Sequence, residues 1–345
     1  VGSRGSDDHD GAPHDGADVF VSGKHADVFN GMGGAFGPGD PGSDTVSYAA
    51  ATAGVTASLS NPAGNTGSAA GDIYISIENL RGTSFDDVLT GDGNNNTLEG
   101  GAGHNVLDGG SGGIDTASYE HAPTQVNVNL NLPGMQPVAS GMFDQLINIE
   151  GLRGSSYDDT LAGNGNSILE GGPGDDNLNG KPGGSDTASY EHAPSGVQVD
   201  LAISGPQDTG GAGTDKLSHI ANLMGSQFND TLAGDANDNM LTGNGGNDTF
   251  VFREFSGGIG HDIIQDFITD TDHIQLDYAA FDSNSPASFT AWLQEHATQQ
   301  ENGDLLIDLD VNGPDIDTIL LRNTSINSLR ANDFILPAGG GGVFA

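Results

Sequence analysis

The chain contains no cysteine and only nine lysine or arginine residues among its 345 residues. The absence of cysteine excludes a disulfide framework and any cysteine-based metal site. Because 48 Asp and Glu residues oppose the nine basic ones, the net charge is −39, and no basic surface exists to neutralise phosphates. Nucleic acid is therefore excluded as a partner. No apolar run approaches the roughly 18 residues of a membrane-spanning helix, so we expect a chain that is not transmembrane.

Residues that build a hydrophobic core are also scarce, since only 34% of the chain is hydrophobic and 6% aromatic. A chain with so little to bury and so much like charge stays expanded unless something neutralises it. Asp supplies 39 of the 48 acidic residues, and 56 residues are glycine. Short Asp side chains among glycines suit tight turns and the coordination of hard cations. The composition therefore indicates a chain that folds around cations.

A long repeat organises most of the sequence. The stretch from Asp115 to Pro123 recurs from Asp186 to Pro194, and a weaker copy begins at Asp44, so the copies lie 71 residues apart. Each copy is followed by a segment of alternating apolar residues, which predicts a half-buried strand. We therefore expect three units of about 71 residues between roughly residues 44 and 250.

A nine-residue period lies inside these units. Leu89, Leu98 and Leu107 are nine residues apart, and the surrounding pattern is Gly-Gly-x-Gly-x-Asp-x-(apolar)-x. Six glycine-rich residues can turn the chain, because glycine accepts positive φ without steric cost. The other three residues form a short strand with one inward side chain, and two such units complete one coil. The sequence thus predicts an all-β fold: a right-handed parallel β-roll with extra strands in each 71-residue unit and a small C-terminal cap that contains one helix. The coils of the roll must stack because none is stable alone.

This pattern resembles the RTX, or haemolysin-type calcium-binding, repeat family. The resemblance implies several bound Ca²⁺ ions, of order ten, held by backbone carbonyls of one turn and the Asp carboxylate of an adjacent turn. It also implies export through a type I channel, directed by an uncleaved C-terminal signal. The sequence shows no N-terminal signal peptide. Residues 248–276 and 306–336 resemble the end of the roll in serralysin-like proteins.

The candidate calcium ligands are the aspartates at position six of the repeats together with the glycines of the best-matching turns. The alternative role of each aspartate is to form an Asx turn without metal. The candidates are Asp27, Asp44, Asp87, Asp115, Asp159, Gly171, Gly172, Gly174, Asp176, Asp186, Gly210, Gly211, Gly213, Asp215, Asp230, Gly243, Asp248, Gly257, Gly258, Gly260, Asp262, Asp266 and Asp272.

Two further groups of aspartates leave alternatives open. Asp72, Asp144 and Asp215 recur once per unit, where they either bind calcium or end a loop before a strand. The structural role is favoured for Asp72 and Asp144, whereas the glycine context of Asp215 fits the calcium pattern better. Asp266, Asp270 and Asp272 are expected to form a terminal calcium site.

The two ends of the chain differ from the repeats. Residues 1–15 are predicted to be a flexible leader, residues 16–265 the repeat roll, and residues 266–345 a capping and secretion-signal region. The segment from Ser285 to about Gln300 predicts the one helix, with Ser285 as its N-cap. Strands are expected at Leu305 to Leu309 and at Asp317 to Leu321, where they close the open end of the roll.

No residue pattern favours catalysis. The pairs Glu120-His121 and Glu191-His192 suggest acid–base chemistry, but their repetition in tandem argues for structural corners. No His-Glu-x-x-His motif occurs, so the zinc-protease motif is absent. The segment from Gly109 to Gly113 matches the serine-hydrolase elbow only formally, because it lies in a repeat turn. We therefore expect no catalytic residues and no organic cofactor.

The predicted function is that of a secreted calcium-binding protein that folds on meeting extracellular Ca²⁺. Its role would be structural or interactive, as in a surface layer, an adhesive fibre or a matrix, with other copies of itself or a cell-surface component as partners. The alternative is a non-catalytic C-terminal module that exports and folds a larger secreted enzyme, such as a protease, lipase or alginate epimerase.

Overall fold

The structure is a computed structural model that describes residues 19–23, 26–31, 43–253, 258–276, 285–309 and 317–337. The predicted leader and Gly257 lie outside the described residues. The chain divides into two compact units, residues 1–164 and residues 165–345. The regular elements of both units are almost all strands, as the sequence predicts.

The first unit contains fifteen described strands, most of them three residues long. They are β1 (Val19–Val21), β2 (Val28–Asn30), β3 (Thr45–Ser47), β4 (Thr56–Ser58), β5 (Ile73–Ile75), β6 (Asn79–Arg81), β7 (Val88–Thr90), β8 (Thr97–Glu99), β9 (Gly103–Asp108), β10 (Thr116–Ser118), β11 (Asn127–Asn129), β12 (Gln136–Ala139), β13 (Met142–Ile147), β14 (Gly151–Arg153) and β15 (Thr160–Ala162). Two 3₁₀ turns lie at Pro62–Gly64 and Gly67–Ala69.

The second unit continues the same alternation of short strands and turns, and it adds a helix. Its elements are β16 (Ile168–Glu170), β17 (Asn177–Asn179), β18 (Thr187–Ser189), β19 (Gln198–Asp200), β20 (Pro206–Asp208), β21 (Thr214–Ser218), β22 (Asn222–Met224), β23 (Thr231–Ala233), β24 (Met240–Thr242), β25 (Thr249–Phe252), β26 (His261–Ile264), β27 (His273–Leu276), α1 (Pro286–His296), β28 (Ala297–Gln299), β29 (Leu305–Asp308), β30 (Thr318–Leu321) and β31 (Phe334–Ile335). A 3₁₀ turn spans Ala331–Asp333.

The strands are short because each nonapeptide has one residue to bury. Leu80, Leu89, Leu98 and Leu107 are inward side chains of β6, β7, β8 and β9, and all are exposed by 1% or less. Their flanking residues point away from the core, which gives the strand period of two. The hydrophobic core is therefore a stack of single leucines, valines, alanines and phenylalanines between the two walls of the roll.

Where nonapeptides follow each other directly, neighbouring coils pair in parallel at an offset of 18 residues, whereas inserted segments lengthen the offset to 35 residues in the pair β10–β14. Leu80 lies opposite Leu98 in the pair β6–β8, and Leu89 lies opposite Leu107 in the pair β7–β9. Two nonapeptides thus complete one coil, which confirms the predicted β-roll. In the first unit one wall runs β1-β3-β6-β8-β10-β14, and in the second it runs β16-β18-β22-β24-β26-β30-β29-β28.

The opposite wall is interrupted once in each 71-residue repeat. In the first unit this wall contains β4-β7-β9-β13-β12, a β11–β15 pair and a β2–β5 pair. In the second unit it contains β17-β21-β20 and β19-β23-β25-β27-β31. The pairs β12–β13 and β20–β21 are antiparallel hairpins, which supply extra strands in two of the three 71-residue repeats.

The C-terminal cap consists here of residues 285–309 and 317–337. Helix α1 begins after Ser285, whose side chain accepts a hydrogen bond from the backbone N–H of Ser288, and it ends at His296. The helix is shorter than predicted because Ala297 is already extended and starts β28. Phe289 and Trp292 of the helix pack against Phe334 with ring centroids 5.8 Å and 5.3 Å apart. Within the described residues no helix is long and apolar enough to cross a membrane.

Candidate metal centre

The aspartates at position six lie in the turns between strands, and they are almost completely buried. Asp87, Asp115, Asp159, Asp230 and Asp248 are all exposed by 2% or less. Burial follows from local geometry, because the short side chain folds back over its own turn. The backbone N–H of Ser226, for example, donates to Oδ2 of Asp230 at 2.6 Å. This is the Asx-type turn that the residue type favours.

The same carboxylates also link neighbouring coils. Oδ1 of Asp248 accepts a hydrogen bond from the backbone N–H of Asp230 at 2.8 Å, and Oδ1 of Asp272 accepts one from Asp248 at 3.0 Å. In equivalent bonds, the backbone N–H groups of Asn96, Asp176 and Asn239 donate to Oδ1 of Asp115, Asp215 and Asp262, respectively. The three N···O distances are 2.8, 3.0 and 2.8 Å. The side chains therefore form ladders along the edges of the roll, an arrangement that the repeat pattern alone does not specify.

Three asparagines occupy rungs of these ladders. Asn105 Oδ1 accepts from the backbone N–H of Asp87 at 3.1 Å, and Asn96 and Asn239 each accept from an N–H of their own turn. A neutral amide is thus sufficient to close the turn. The negative charge of the aspartates is not needed for that purpose, and it makes burial more costly.

One class of turn surrounds its carboxylate with protein donors. Asp87 accepts from the backbone N–H and the hydroxyl of Thr83, at 2.6 Å and 3.0 Å, and from the N–H of Val55 at 2.7 Å. The turns of Asp159 and Asp230 repeat this arrangement with Ser155 and Ser226. We call Asp87, Asp159 and Asp230 the hydroxyl-closed aspartates, because these donors fill most of their acceptor positions.

A second class of turn aspartate accepts far fewer hydrogen bonds from the protein. Within the described chain, Asp115, Asp248 and Asp262 each accept one hydrogen bond, through Oδ1, from the neighbouring coil. The buried Oδ2 of Asp262 has no hydrogen-bond partner among the described residues. We call these three the open aspartates. An ionised carboxylate has about four acceptor positions, so a cation can bind the oxygens that the protein leaves available.

Burial raises the pKa of each open aspartate. Desolvation is the largest cause, and the pKa rises to about 6 for Asp115, about 7 for Asp248 and about 8 for Asp262. Neighbouring carboxylates raise each value further, whereas the single backbone hydrogen bond lowers it. These sites therefore favour either a proton or a positively charged ligand.

Oxygens converge above the glycine that begins the Asp115 turn. A Cβ atom on Gly109 would lie 2.5 Å from Asp115 Oδ2 and would also clash with the carbonyl oxygen of Asn148, so only glycine fits. Asn148 has a φ of 49°, a left-handed conformation that asparagine tolerates better than most residues. Ser76 and His219 occupy the corresponding positions, also with positive φ, and their carbonyls face Gly31 and Gly180. A carboxylate and a carbonyl that face the same small space are ligands of the kind Ca²⁺ prefers.

Each long repeat also contains a buried tyrosine beside an aspartate. The hydroxyl of Tyr48 donates to Asp72 Oδ2 at 2.8 Å, and Tyr119 and Tyr190 are fully buried next to Asp144 and Asp215. Burial raises the pKa of Asp144 and of Asp215 to about 6. The tyrosine recurs at the same place in each 71-residue repeat. Its aspartate partner lies 24 or 25 residues further along the chain, so the repeat does not indicate that the two side chains meet.

The remaining candidate residues fall into different surroundings. Gly210, Gly211 and Gly213 lie in the loop of the hairpin β20–β21 and not in a turn between walls. Gly171, Gly172, Gly174 and Gly243 lie in repeat turns, where a Cβ on Gly171 or Gly243 would meet the carboxylate of its own turn. Asp266 accepts from the N–H groups of Gly243 and Asn244, whereas Asp270 donates its own N–H to Asp333.

The predicted corner role of the Glu-His segments agrees with their contacts. His121 Nδ1 lies 3.0 Å from Glu99 Oε2, which also contacts Arg81 at 3.3 Å. At the equivalent place one repeat later, His192 Nδ1 lies 3.0 Å from Glu170 Oε2. These pairs connect adjacent coils at equivalent places. Among the described residues no cluster of three or more His, Asp or Glu side chains is arranged to hold a metal ion, so a cation site here requires backbone carbonyls as well.

Comparison with known proteins gives one family match. The model of the RTX calcium-binding nonapeptide repeat (4 copies) matches residues 81–113, 153–186 and 222–252. None of the curated proteins compared with the chain matches it. A solved structure, the extracellular lipase LipA from Serratia marcescens, is similar over 75% of this chain and 40% of that chain, with 17% identity and a TM-score of 0.22. The chain thus spans about two fifths of the lipase.

Proposed function

Given that the chain contains RTX calcium-binding nonapeptide repeats, we propose that it is a secreted protein whose β-roll is completed by extracellular calcium. The folded roll has a structural or interaction role, with other copies of the chain or a cell-surface or matrix component as partner. We assign it no catalytic role. The net charge of −39 supports an expanded state before export, since uncompensated charge and a thin core disfavour compaction.

The main support for this proposal is that aspartate side chains are buried in turns that a neutral side chain can also close. Asparagine closes equivalent turns, yet Asp115, Asp248 and Asp262 are buried with one hydrogen bond each. A buried carboxylate without a partner destabilises a fold. Calcium binding at such a site would offset that cost and would contribute binding free energy to folding.

The open aspartates are the first residues to which we assign calcium. Bound calcium would supply positive charge and would accept oxygen ligands from two adjacent turns. Asp115 Oδ2 and the carbonyl of Asn148 already face one space above Gly109. The hydroxyl-closed aspartates serve mainly as metal-independent turns, because Thr83, Ser155 and Ser226 occupy their oxygens.

A calcium titration of the whole chain tests the proposal. Far-UV circular dichroism starting in EDTA is expected to show a coil-to-β transition with a midpoint at about 10⁻⁴ to 10⁻³ M calcium, the range of extracellular calcium modules. Magnesium at the same concentration is the control, and it should have little effect because it retains its waters. A chain that is fully folded in EDTA and indifferent to calcium would refute the proposal.

The pH dependence of stability gives a second test. Folded-state pKa values of about 6, 7 and 8 for Asp115, Asp248 and Asp262 exceed the ordinary value of 3.8. A carboxyl group with a raised pKa stabilises the fold below its ordinary pKa, and this contribution is lost as pH rises through the folded value. Any β structure left in EDTA should therefore resist urea better near about pH 5 than near about pH 8. In calcium the order should reverse, because protons compete with the ion. Higher stability in EDTA at the higher pH would contradict the assignment.

A further inference from the structure

A cavity of about 580 Å³ lies in the first unit, at an interruption of the wall that faces β6 and β8. Strand β5 pairs with β2, whereas β4 pairs with β7 in a separate sheet of the same wall. The lining includes Tyr74 of β5, Leu59 directly after β4, and Glu78 directly before β6. The turn between β7 and β8 completes it. This volume is typical of pockets for small organic ligands, which span about 300–1,000 Å³.

The first repeat differs from the other two at this place. Two residues after the aspartate that recurs once per repeat, the second and third repeats have Leu146 and Leu217, whereas the first has Tyr74. The first repeat also has 3₁₀ turns at Pro62–Gly64 and Gly67–Ala69 where the second repeat has hairpin strand β12. Tyr74 and the two turns are thus specific to the repeat that carries the cavity.

The side chain of Tyr74 is held in place by three contacts. Its hydroxyl lies 2.5 Å from the hydroxyl of Tyr48 and accepts a hydrogen bond from Nδ2 of Asn65 at 2.9 Å. Its ring stacks on Phe29, with centroids 6.2 Å apart and planes inclined by 13°. A lining side chain that is already fixed loses little freedom when a ligand binds, so the cavity has a preorganised aromatic border. Leu59 adds an aliphatic side chain to it.

The polar side chains of the lining offer both acceptors and donors. Oε2 of Glu78 accepts from the backbone N–H of Asp44 at 2.9 Å, and Oδ1 of Asn95 accepts from that of Ile114 at 2.8 Å. Within the part of the chain that the structure describes, no hydrogen bond occupies Oε1 of Glu78, Oδ1 of Asn94 or Nδ2 of Asn95. Glu78 and Asn95 are therefore fixed at one atom while another atom is available to a ligand.

The charges and hydrogen-bonding groups of the lining discriminate between classes of ligand. Glu78 and Asp92 are acidic, and no lysine, arginine or histidine lines the cavity, so phosphates and acidic sugars are repelled. An ammonium group has donors only, and it would leave Nδ2 of Asn95 without an acceptor. A sugar hydroxyl both donates and accepts, and it forms a charge-assisted hydrogen bond with a carboxylate. The C–H groups of a sugar ring can pack on Tyr74 and Leu59.

We propose that this cavity binds a neutral sugar unit of a cell-surface or matrix glycan. The inference rests on the proposed interaction role of the folded roll, and it adds the chemistry of the partner. The lining comes from separate coils, so the site exists only when the roll is folded. Sugar binding should therefore depend on calcium without any contact between the sugar and the ion.

The experiment measures sugar binding to the full chain in saturating calcium, by saturation-transfer-difference NMR and isothermal titration. The neutral probes are maltotriose, cellotriose and mannotriose. Trigalacturonate and spermidine serve as acidic and cationic competitors. We expect at least one neutral probe to bind in calcium and not in EDTA, and neither competitor to displace it.

Two conservative variants test the lining, and a third is the matched control. Glu78→Gln keeps an oxygen for the N–H of Asp44 but replaces the available oxygen with an amide NH₂. Asn95→Asp keeps its Oδ1 acceptor and removes the amide donor. Each should weaken sugar binding by about tenfold. Glu150 accepts from the backbone N–H of Asp115 at 3.0 Å, as Glu78 does from Asp44, so Glu150→Gln is the equivalent change one repeat later. It should leave sugar binding unchanged.

The inference is overturned if none of the three neutral sugars binds the calcium-folded chain, or if Glu78→Gln and Asn95→Asp bind the sugar as tightly as the natural chain. It is also overturned if spermidine displaces the sugar and binds Asn95→Asp more tightly, since the cavity would then be a cation site. A chain that does not fold in calcium contradicts the proposed function, whereas a chain that folds and binds no sugar refutes this inference alone.

Discussion

Replacing Asp115, Asp248 and Asp262 together with asparagine is expected to abolish most of the calcium response and to stabilise the calcium-free roll. Asparagine can keep the Oδ1 acceptor of each rung, as Asn105 does when it accepts from the backbone N–H of Asp87 on the neighbouring coil. The substitution removes three buried charges that have few donors, and with them the anionic ligands for the cation. We expect the calcium midpoint of the circular dichroism transition to rise by at least about 100-fold.

The matched control replaces the hydroxyl-closed aspartates Asp87, Asp159 and Asp230 with asparagine. Each of these carboxylates uses both oxygens as acceptors, so an amide NH₂ would face a backbone or hydroxyl donor. A buried donor left without an acceptor costs about 1–3 kcal/mol. This triple variant should therefore lose stability in urea while keeping its calcium response. Equal calcium responses in the two triple variants would show that the number of donors does not determine where calcium binds.

Phe250→Ala is expected to destabilise the calcium-loaded roll by about 3–5 kcal/mol. Phe250 is completely buried at the centre of β25, opposite Leu232 of β23 and Ile274 of β27, and its ring lies 6.3 Å from that of Phe267. Leu232 and Ile274 are held in place by their own strands, so they cannot easily move to close the cavity. Urea unfolding in saturating calcium measures the loss.

Phe228→Ala is the control for that experiment. Phe228 is 47% exposed in the turn before β23, so its truncation removes little buried surface. A loss of about 1 kcal/mol or less is expected. Similar losses for Phe228→Ala and Phe250→Ala would show that the interior of the roll does not depend on the stacked side chains.

The β-roll was predictable because the repeat is local. Leu80, Leu89, Leu98 and Leu107 follow the nine-residue period, and each is a buried residue of a separate strand. The antiparallel hairpins were predictable only as extra strands, since nothing in the 71-residue repeat specifies which wall they join. The end of α1 was also misjudged, because the chain after His296 pairs with β29, a contact that the helical pattern does not encode.

The sequence predicted which type of residue could bind calcium, but not how many hydrogen bonds each aspartate accepts from the protein. The pattern identifies Asp87 and Asp248 as equivalent, yet the hydroxyl of Thr83 closes one turn while the other remains open. A hydroxyl at the second position of a turn was visible in the sequence, but its hydrogen bond to the carboxylate depends on the folded turn. The pairing of Tyr119 with Asp144 was hidden for the same reason, since the two side chains meet only when coils stack.

The sequence by itself determined three properties of this protein: its high negative charge, its repeated turns, and its single apolar residues, which are buried only when coils stack. These follow from residue type and spacing, which act over nine residues or fewer. Only the tertiary structure decided which carboxylates are hydroxyl-closed, which remain open, and which meet a partner from a distant segment, as Asp317 meets the backbone N–H of Ile259. The physical reason is that burial and hydrogen-bond satisfaction depend on neighbouring coils, and these lie 18 or more residues away along the chain.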